Sequence, residues 1–598
     1  MQALPLDFRK LRVGYWLGAA LLLLVAAVLA GLIHPLGGHR VYVPPSVWQL
    51  PLDAAWSLER MVSAYILSLA FSISVGMYIA RNEKARKIIL PILDILQSIP
   101  IVTFFPAALA VAVRLFGGGR LGFEIGAIIL IFTSMAWNMA FSVYESVRMI
   151  PRDMLEAAES FGIRGLQKFV TLLLPACVPG LLYNSIVSWA AGWFALSACE
   201  ILQVGNQSVP LPGLGSFLAE AAQSKHHAIE LNLLGVAVLL GVILLLDFFL
   251  WRPLAHWAER FRNELTVSTM TRGGTGVAGW YQHGAIPRLI VRSVLLPLNK
   301  GVNWAVARVH GSAKRLVLPR VAPPAPLLRA YEFLQRMIGW LVLAAIVICG
   351  GYYCFAVVHH HLPALAWEIP AAIGSSFLRI LLAYVLSLCW IIPVLLWART
   401  RPRAMRLLSS LAQTLAGMPP IALTFLVVGL FVHHLQFGPR WGVELAGLVL
   451  LMNGVQWYVL FNMIGGISRI PGDLVEACGA MGLSRWMRFR RLLLPAILPS
   501  LFTGTLTAFG GGWNTLIFSE SIAYQGHYYS VLGIGWLLDV ASSGSNPPIA
   551  SGVPLPAGQA KALLLAGVAC LIVVIVILNR LVWKRLQAWA ADRFRIEY

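Results

Sequence analysis

The residues with the greatest chemical reach in this chain are two carboxylates set in apolar sequence, Glu200 and Glu520. Each follows a tryptophan by seven residues, Trp193 and Trp513 respectively. Seven residues is about two helical turns, which places Trp and Glu on one face. A charge inside a bilayer is tolerated where it meets water, a donor or a base. Direct binding of an anion by these carboxylates would set like charges together. The spacing therefore predicts that each Glu pairs with a basic or backbone group and holds the turn that follows, Gly213-Leu214-Gly215 or Gly533-Ile534-Gly535. Arg60 and Arg379, each five residues before a tyrosine (Tyr65, Tyr384), read as side chains that snorkel to the outer interface rather than as anion ligands.

Other chemistry is excluded by what the sequence lacks. No GxxxxGK[ST] occurs, so the chain has no phosphate-cradling loop and no ATPase site of its own. The seven cysteines show no CxxC or Cys/His ligand spacing, which speaks against disulfides and structural zinc. Histidines cluster at His226-His227, His359 to His361 and His433-His434, and read as exposed loop residues; neither a metal nor a cofactor is expected. The net charge of +21 is spread between hydrophobic spans, the distribution of loops facing anionic lipid and not of a nucleic-acid surface.

The elements that must position these residues come in two copies. The stretch from Pro151 to Leu181 recurs from Pro471 to Leu501, with 13 of 31 positions identical without gaps. Trp137 and Trp457 keep the same offset of 320 residues, as do the Trp–Glu pairs and the Gly-x-Gly turns. Each copy opens at proline and carries acids in its first turn, Asp153 and Glu156 or Asp473 and Glu476, which complement the helix dipole. Gly162 and Gly482 suit a left-handed C-terminal stop. The pattern predicts a short helix, a turn, and an amphipathic segment ending at Leu174-Pro175 or Leu494-Pro495. A duplicated polar loop of this kind suits two docking sites for a two-fold-symmetric soluble partner.

Between the loops the chain is membrane. It is 59% apolar and 12% charged, where soluble domains carry about 25% charged residues. Apolar runs predict six spans per half: 14–34, 56–80, 88–113, 124–146, 180–202 and 232–251, then 337–358, 373–398, 405–434, 442–466, 499–521 and 561–583. Lys and Arg cluster in alternate loops, which places both termini and both repeated loops in the cytoplasm. The prolines of the third and ninth spans, Pro91, Pro100, Pro106, Pro419 and Pro420, predict kinked helices lining a translocation path, together with Asn138 and the Trp–Glu pairs. Residues 1–255 form a first half with its loop at 148–178. Residues 256–335 form a basic cytoplasmic linker; from Arg252 through Arg336 there are 13 Lys/Arg against three acids. Residues 336–598 form a second half with its loop at 468–498.

The loops match the pattern Glu-Ala-Ala, three residues, Gly, nine residues, a large aliphatic, any residue, Leu-Pro. It reads Glu156, Ala157, Ala158, Gly162, Leu172, Leu174, Pro175, and again Glu476, Ala477, Cys478, Gly482, Leu492, Leu494, Pro495. Leu172 and Leu492 replace the usual Ile, and Cys478 replaces the second alanine. This resembles the signature loop of binding-protein-dependent ABC importer permeases. Ser98-Ile99-Pro100, Trp193 to Glu200 and Gly213-Leu214-Gly215 resemble the nitrate/sulfonate/taurine branch, and the tandem arrangement resembles duplicated permeases assigned to anion transport. The resemblance covers roughly 55–255 and 375–585.

The resemblance implies an all-α polytopic membrane protein of two fused six-helix type I importer halves with twelve transmembrane helices. It implies a multi-pass protein of the bacterial inner membrane that moves a small anion, driven by two ABC ATPase subunits docked on the loops and fed by a periplasmic solute-binding protein. A fused permease for ferric iron is the same machine with another cargo. An ion-driven secondary transporter is a different one, disfavoured by the loops and by the absence of paired carboxylates at mid-membrane.

Overall fold

The computed structural model describes residues 45–258 apart from 99–100, 118, 164, 202–210 and 225–226. It also describes residues 261, 351–543 and 555–594, apart from 353–354, 400, 436–437, 469, 471–473, 475–476 and 479. The expected first span, most of the expected seventh span and nearly all of the linker lie outside these residues. By compactness the chain forms two units: Met1–Leu17 with Glu145–Tyr183 and Phe248–Leu362, and Gly18–Tyr144 with Asn184–Asp247 and Pro363–Tyr598.

Apart from one hairpin the described elements are helices, because 18-residue apolar stretches satisfy their own backbone in lipid by forming a helix. In the first half, α1 runs Pro45–Arg81, α2 Glu83–Ser98, α3 Ile101–Phe116 and α4 Arg120–Arg148. The loop helix α5 is Arg152–Ser160, and α6 is Leu174–Ile201. The short helix α7, Leu214–Ala222, leads to α8, Ala228–Leu246, and α9, Arg252–Ala258. The second half repeats the order: α10 Ile369–Ala398, α11 Pro402–Ala416, α12 Pro420–Val428, α13 Pro439–Ser468 and α14 Leu494–Glu520. A hairpin of β1 Ser521–Tyr524 and β2 His527–Ser530 follows, paired antiparallel with Ile522 opposite Tyr529. Then come α15 Ile534–Ser543, α16 Ala557–Ile577 and α17 Lys584–Phe594.

Among the described residues, eight helices are long and apolar enough to cross a membrane, and the pair α11–α12 makes a ninth, bent candidate. The third expected span falls on two 16-residue helices, α2 and α3, and residues 99–100 between them lie outside the described residues. The ninth breaks between Ala416 and Pro420, where Pro420 opens α12 at its first turn. Proline there has no intrahelical hydrogen bond to lose, so it starts a helix instead of kinking one.

Within the larger unit the core of the second half gathers Leu451, Val455, Phe509, Trp513, Leu516 and Phe518. First-half residues join it: Phe194 and Ala198 belong to the same cluster, and the Phe194 and Phe518 rings meet edge-on at 6.1 Å. The start of α3 also reaches across, as the Ile101 N–H donates to Asn514 Oδ1 at 2.7 Å. An asparagine side chain thus satisfies one of the donors that any helix N-terminus leaves open. Outside the helices, the Gln525 N–H donates to Ala222 O, and the Gly526 N–H to Gln223 Oε1, both at 3.0 Å, tying the hairpin to α7.

Candidate functional site

Two sites emerge, each built twice. The first is an ion cluster around Arg60. Helix α1 presents Ser57 and Arg60 one turn apart, α4 presents Glu124, and α6 ends on Glu200. The Arg60 guanidinium grips Glu124 with two hydrogen bonds, Nε to Oε2 at 2.6 Å and Nη2 to Oε1 at 2.8 Å. Its Nη1 donates to Glu200 Oε1 and to the carbonyl of Pro212, each at 2.8 Å. Ser57 Oγ donates to Glu200 Oε1 at 2.8 Å and accepts from the Leu214 N–H at 3.0 Å. The Gly215 N–H completes the shell by donating to Glu200 Oε2 at 2.7 Å.

The second half reproduces this contact for contact. Arg379 holds Glu444 through Nε and Nη2 at 2.8 and 2.7 Å. Its Nη1 donates to Glu520 Oε1 at 3.0 Å and to the Leu532 carbonyl at 2.8 Å. Ser376 Oγ donates to Glu520 Oε1 at 2.6 Å and accepts from the Ile534 N–H, and the Gly535 N–H donates to Glu520 Oε2 at 2.8 Å. The tyrosines five residues on are tied alike, Tyr65 to Ser185 at 3.0 Å and Tyr384 to Thr505 at 2.6 Å.

Snorkelling arginines are therefore corrected. The Arg60 side chain has no exposure at all, and that of Arg379 is 15% exposed. Two carboxylates and a carbonyl offer each guanidinium fixed charge-assisted partners in place of water, and the planar donor fork suits bidentate capture of Glu124 or Glu444. The expectation of a basic and a backbone partner for Glu200 and Glu520 agrees with these bonds. Each carboxylate staples the end of a long helix to the Gly-x-Gly turn. A Cβ at Gly213 would overlap the Glu200 carboxylate, and one at Gly533 that of Glu520, so these positions exclude a side chain. Sequence reasoning missed Glu124 and Glu444, although the 320-residue offset relates them as it relates the Trp–Glu pairs.

Trp193 and Trp513 are buried, about two helical turns before Glu200 and Glu520. The Gln97 amide donates to Asn138 Oδ1 at 2.9 Å, Pro420 is buried at the start of α12, and Pro100 lies outside the described residues.

The second site is the repeated loop. Helix α5 ends in a tight C-terminal motif: the Phe161 N–H donates to Ala157 O at 3.0 Å and the Ile163 N–H to Ala158 O at 2.9 Å, with Gly162 at φ +72°. The second copy closes the same way. The Met481 N–H donates to Ala477 O at 2.9 Å and the Leu483 N–H to Cys478 O at 3.2 Å, with Gly482 at φ +64°. Both glycines occupy the left-handed region, which admits glycine at no steric cost. Ala158 is buried, while Glu156 and Ala157 are exposed. Glu476 lies outside the described residues. The residue before each glycine is a large exposed hydrophobe, Phe161 at 83% and Met481 at 74%. Past the turn the chain widens into a π-helical turn, Phe169–Leu173 and Phe489–Leu493, just before Pro175 and Pro495. A widened turn accommodates a proline ring that would collide with the preceding turn of a regular α-helix.

A chain of membrane-length helices with two equivalent ion-locked turns and two loops closed alike by a left-handed glycine is built from two repeated halves. The chain belongs to the family described as binding-protein-dependent transport system inner membrane component, which it matches over residues 72–252 and again over 391–587. It is thus a tandem ABC-type permease of two fused halves. It is 26% identical to the taurine transport system permease protein TauC of Escherichia coli (strain K12) over 225 residues, 37% of this chain and 75% of that protein. It is 24% identical to a putative ABC transporter permease of Methanocaldococcus jannaschii over 38% of this chain and 82% of that protein. It is 26% identical to the nitrate import permease protein NrtB of Leptolyngbya laminosa over 33% of this chain and 64% of that protein. Each match spans about a third of this chain, the size of one permease half.

Proposed function

We propose that this chain forms the whole transmembrane pore of an importer for a small anion of the nitrate, sulfonate or taurine class. Two ATPase subunits dock on the loops around α5 and Gly482, and a periplasmic solute-binding protein delivers the cargo. The observation that carries this reading is the duplicated loop itself: a short helix closed by a left-handed glycine and headed by an exposed Phe161 or Met481. Such a knob suits a groove on a soluble partner. The permeases named for taurine and nitrate support the anion class.

In this reading the Arg60 and Arg379 clusters are fixed braces at the outer ends of α6 and α14. They keep the two halves rigid while closure of the ATPases moves the loops. Glu156, Ala157, Ala158, Gly162 and Pro175, with Glu476, Ala477, Cys478, Gly482 and Pro495, form the coupling elements. Trp193, Glu200, Trp513 and Glu520 shape the outer gate without touching cargo, and Pro100, Asn138 and Pro420 lie along the path. Both termini and the 256–335 linker face the cytoplasm of a bacterial inner membrane.

The test is uptake into proteoliposomes containing the chain, its ATPase subunits and its binding protein. ATP-dependent accumulation of taurine or nitrate is expected. Uptake that runs on an ion gradient without any ATPase would overturn the reading. Orientation is checked by single cysteines at Gly274 or Ala322, which should resist impermeant thiol reagents in intact cells.

A further inference from the structure

The hairpin that follows Glu520 belongs to the second half, yet its tip rests on the first. Its root is fixed to its own half: the Tyr528 hydroxyl donates to Asp539 Oδ2 of α15 at 2.9 Å, and the Val531 N–H to Glu520 O at 3.0 Å. At the tip, the Gln525 N–H donates to Ala222 O at 3.0 Å. Gln223, at the end of α7, makes two further bonds. Its Oε1 accepts from the Gly526 N–H at 3.0 Å, and its amide donates to Ala523 O at 3.3 Å. Tyr524 is fully buried beneath this contact. A Cβ added at Gly429, at the end of α12, would stand 2.6 Å from the Tyr524 hydroxyl and 3.3 Å from Ile229 of α8. The tyrosine thus packs against α12 of its own half where α8 of the other half meets it.

The sequence provides for this contact once. At the 320-residue offset, Tyr524, Gly429 and Gln223 become Val204, Leu109 and Ser543. A tyrosine at this place needs the glycine, and the first half has neither. Serine is too short to bond both strands of a hairpin. The turn itself is held in an uncommon shape. Gln525 has φ +50° and Gly526 φ +76°, positive at both central residues as in a primed two-residue turn. Among the described residues, the only non-glycine positions with positive φ are Gln525 and His227, the residue that precedes α8. Such backbone persists where surrounding contacts hold it, and the Gln525 N–H is held by Ala222 O across the halves.

The contact is also the weaker of the two tethers at this end. Ala523, Gly526 and Gln223 are exposed, so their hydrogen bonds exchange for water at little net cost. The Arg60–Glu200 pair nearby is sealed and has no such substitute. On separation of the halves the hairpin tip releases first, and the ion clusters stay intact.

We propose that this hairpin is a latch that shuts the Glu520 end of the pore by binding the first half, and that it must let go of Gln223 for that end to open during transport. The proposal rests on the importer reading above.

The test links Gln223→Cys to Ala523→Cys in the full chain with a short, reducible bis-methanethiosulfonate reagent. Each single variant, carrying the same native cysteines, is the control. With ATPase subunits and binding protein in proteoliposomes, linking should lower ATP-dependent uptake about tenfold or more, because the open state is removed. Reductant should restore uptake, and the treated single variants should keep it. Trapping the ATPase subunits with vanadate should lower the yield of linked peptide severalfold, read by mass spectrometry. Gln223→Ala, an exposed change, should raise ATP hydrolysis in the absence of binding protein without moving the melting temperature in detergent. Full uptake by the linked chain, or a yield indifferent to trapping, would overturn the latch and leave the importer reading standing. Unchanged hydrolysis in Gln223→Ala would overturn the latch as well. Absence of ATP-dependent uptake by the wild-type chain would overturn the importer reading, and the latch with it.

Discussion

Arg60 Nη1 lies 2.8 Å from Glu200 Oε1 across 140 residues of sequence, with both side chains sealed from solvent. Arg379 and Glu520 repeat the contact at 3.0 Å. Each arginine also grips a second carboxylate, Glu124 or Glu444, so one cation binds three helix segments and a turn.

Removing the cation should be the costliest single change in either cluster. Arg60→Gln leaves two carboxylates facing each other without their base, and breaking a buried pair this way costs about 3–5 kcal/mol. Arg379→Gln should cost less, because Arg379 and Glu444 keep partial exposure, at 15% and 31%. Thermal unfolding in detergent should rank the two in that order. Glu200→Gln with Glu520→Gln should lower assembly or gating while the range of solutes carried stays the same. A changed solute range with normal assembly would place these carboxylates on the path.

The Gly-x-Gly turns should admit no methyl group. Gly213→Ala and Gly533→Ala force a Cβ into the Glu200 or Glu520 carboxylate and should weaken the staple at the end of α6 or α14. Gly374→Ala is the control, since nothing lies within 4 Å of its added Cβ. Equal melting temperatures for all three variants would mean that the turns yield without loss.

The loop glycines fail for a different reason. No atom lies within 4 Å of a Cβ added at Gly162 or Gly482, so the penalty of a substitution is conformational. A β-branched residue held at φ near +70° costs about 1–2 kcal/mol. Gly162→Val and Gly482→Val should reduce stimulation of the ATPase and leave the membrane helices folded. The loops should also respond unequally to Glu156→Ala and Glu476→Ala, because Lys168 Nζ donates to Glu159 Oε1 at 2.8 Å in the first loop and Gly479 stands at the matching position of the second. Unchanged uptake in the double glycine variant would remove these residues from the coupling element.

Asp539, outside the spanning helices, should give the hairpin a pH dependence. Ser521 and Tyr528 hydroxyls donate to its carboxylate, yet desolvation by burial dominates and pushes its pKa up from the ordinary value. A raised folded-state pKa means that the native state holds the proton more tightly. The contribution is thus present below the unfolded value of about 3.9 and is lost as pH rises toward the folded value. Protection of the hairpin amides, measured relative to free-amide exchange at each pH, should fall from mildly acidic to neutral pH, and Asp539→Asn should flatten that slope. A slope unchanged in Asp539→Asn would assign it to other groups.

Much of this protein is determined by sequence alone, because its constraints are local or repeated. Apolar runs must become helices in lipid whatever their neighbours. The loop motif carries its own turn chemistry in Gly162 and Gly482, and duplication displays the equivalence of the halves as a constant offset. The partners of Glu200 and Glu520 were legible as a class, basic or backbone, from the cost of an isolated charge in lipid.

Their identity was decided by tertiary structure. Arg60 sits near a span end, where sequence offers water as the default partner. Only the packing of α1 against α4 and α6 brings Glu124 and Glu200 within reach of one guanidinium and turns a snorkelling side chain into a buried brace. Burial and proximity, which a one-dimensional pattern does not carry, make that brace.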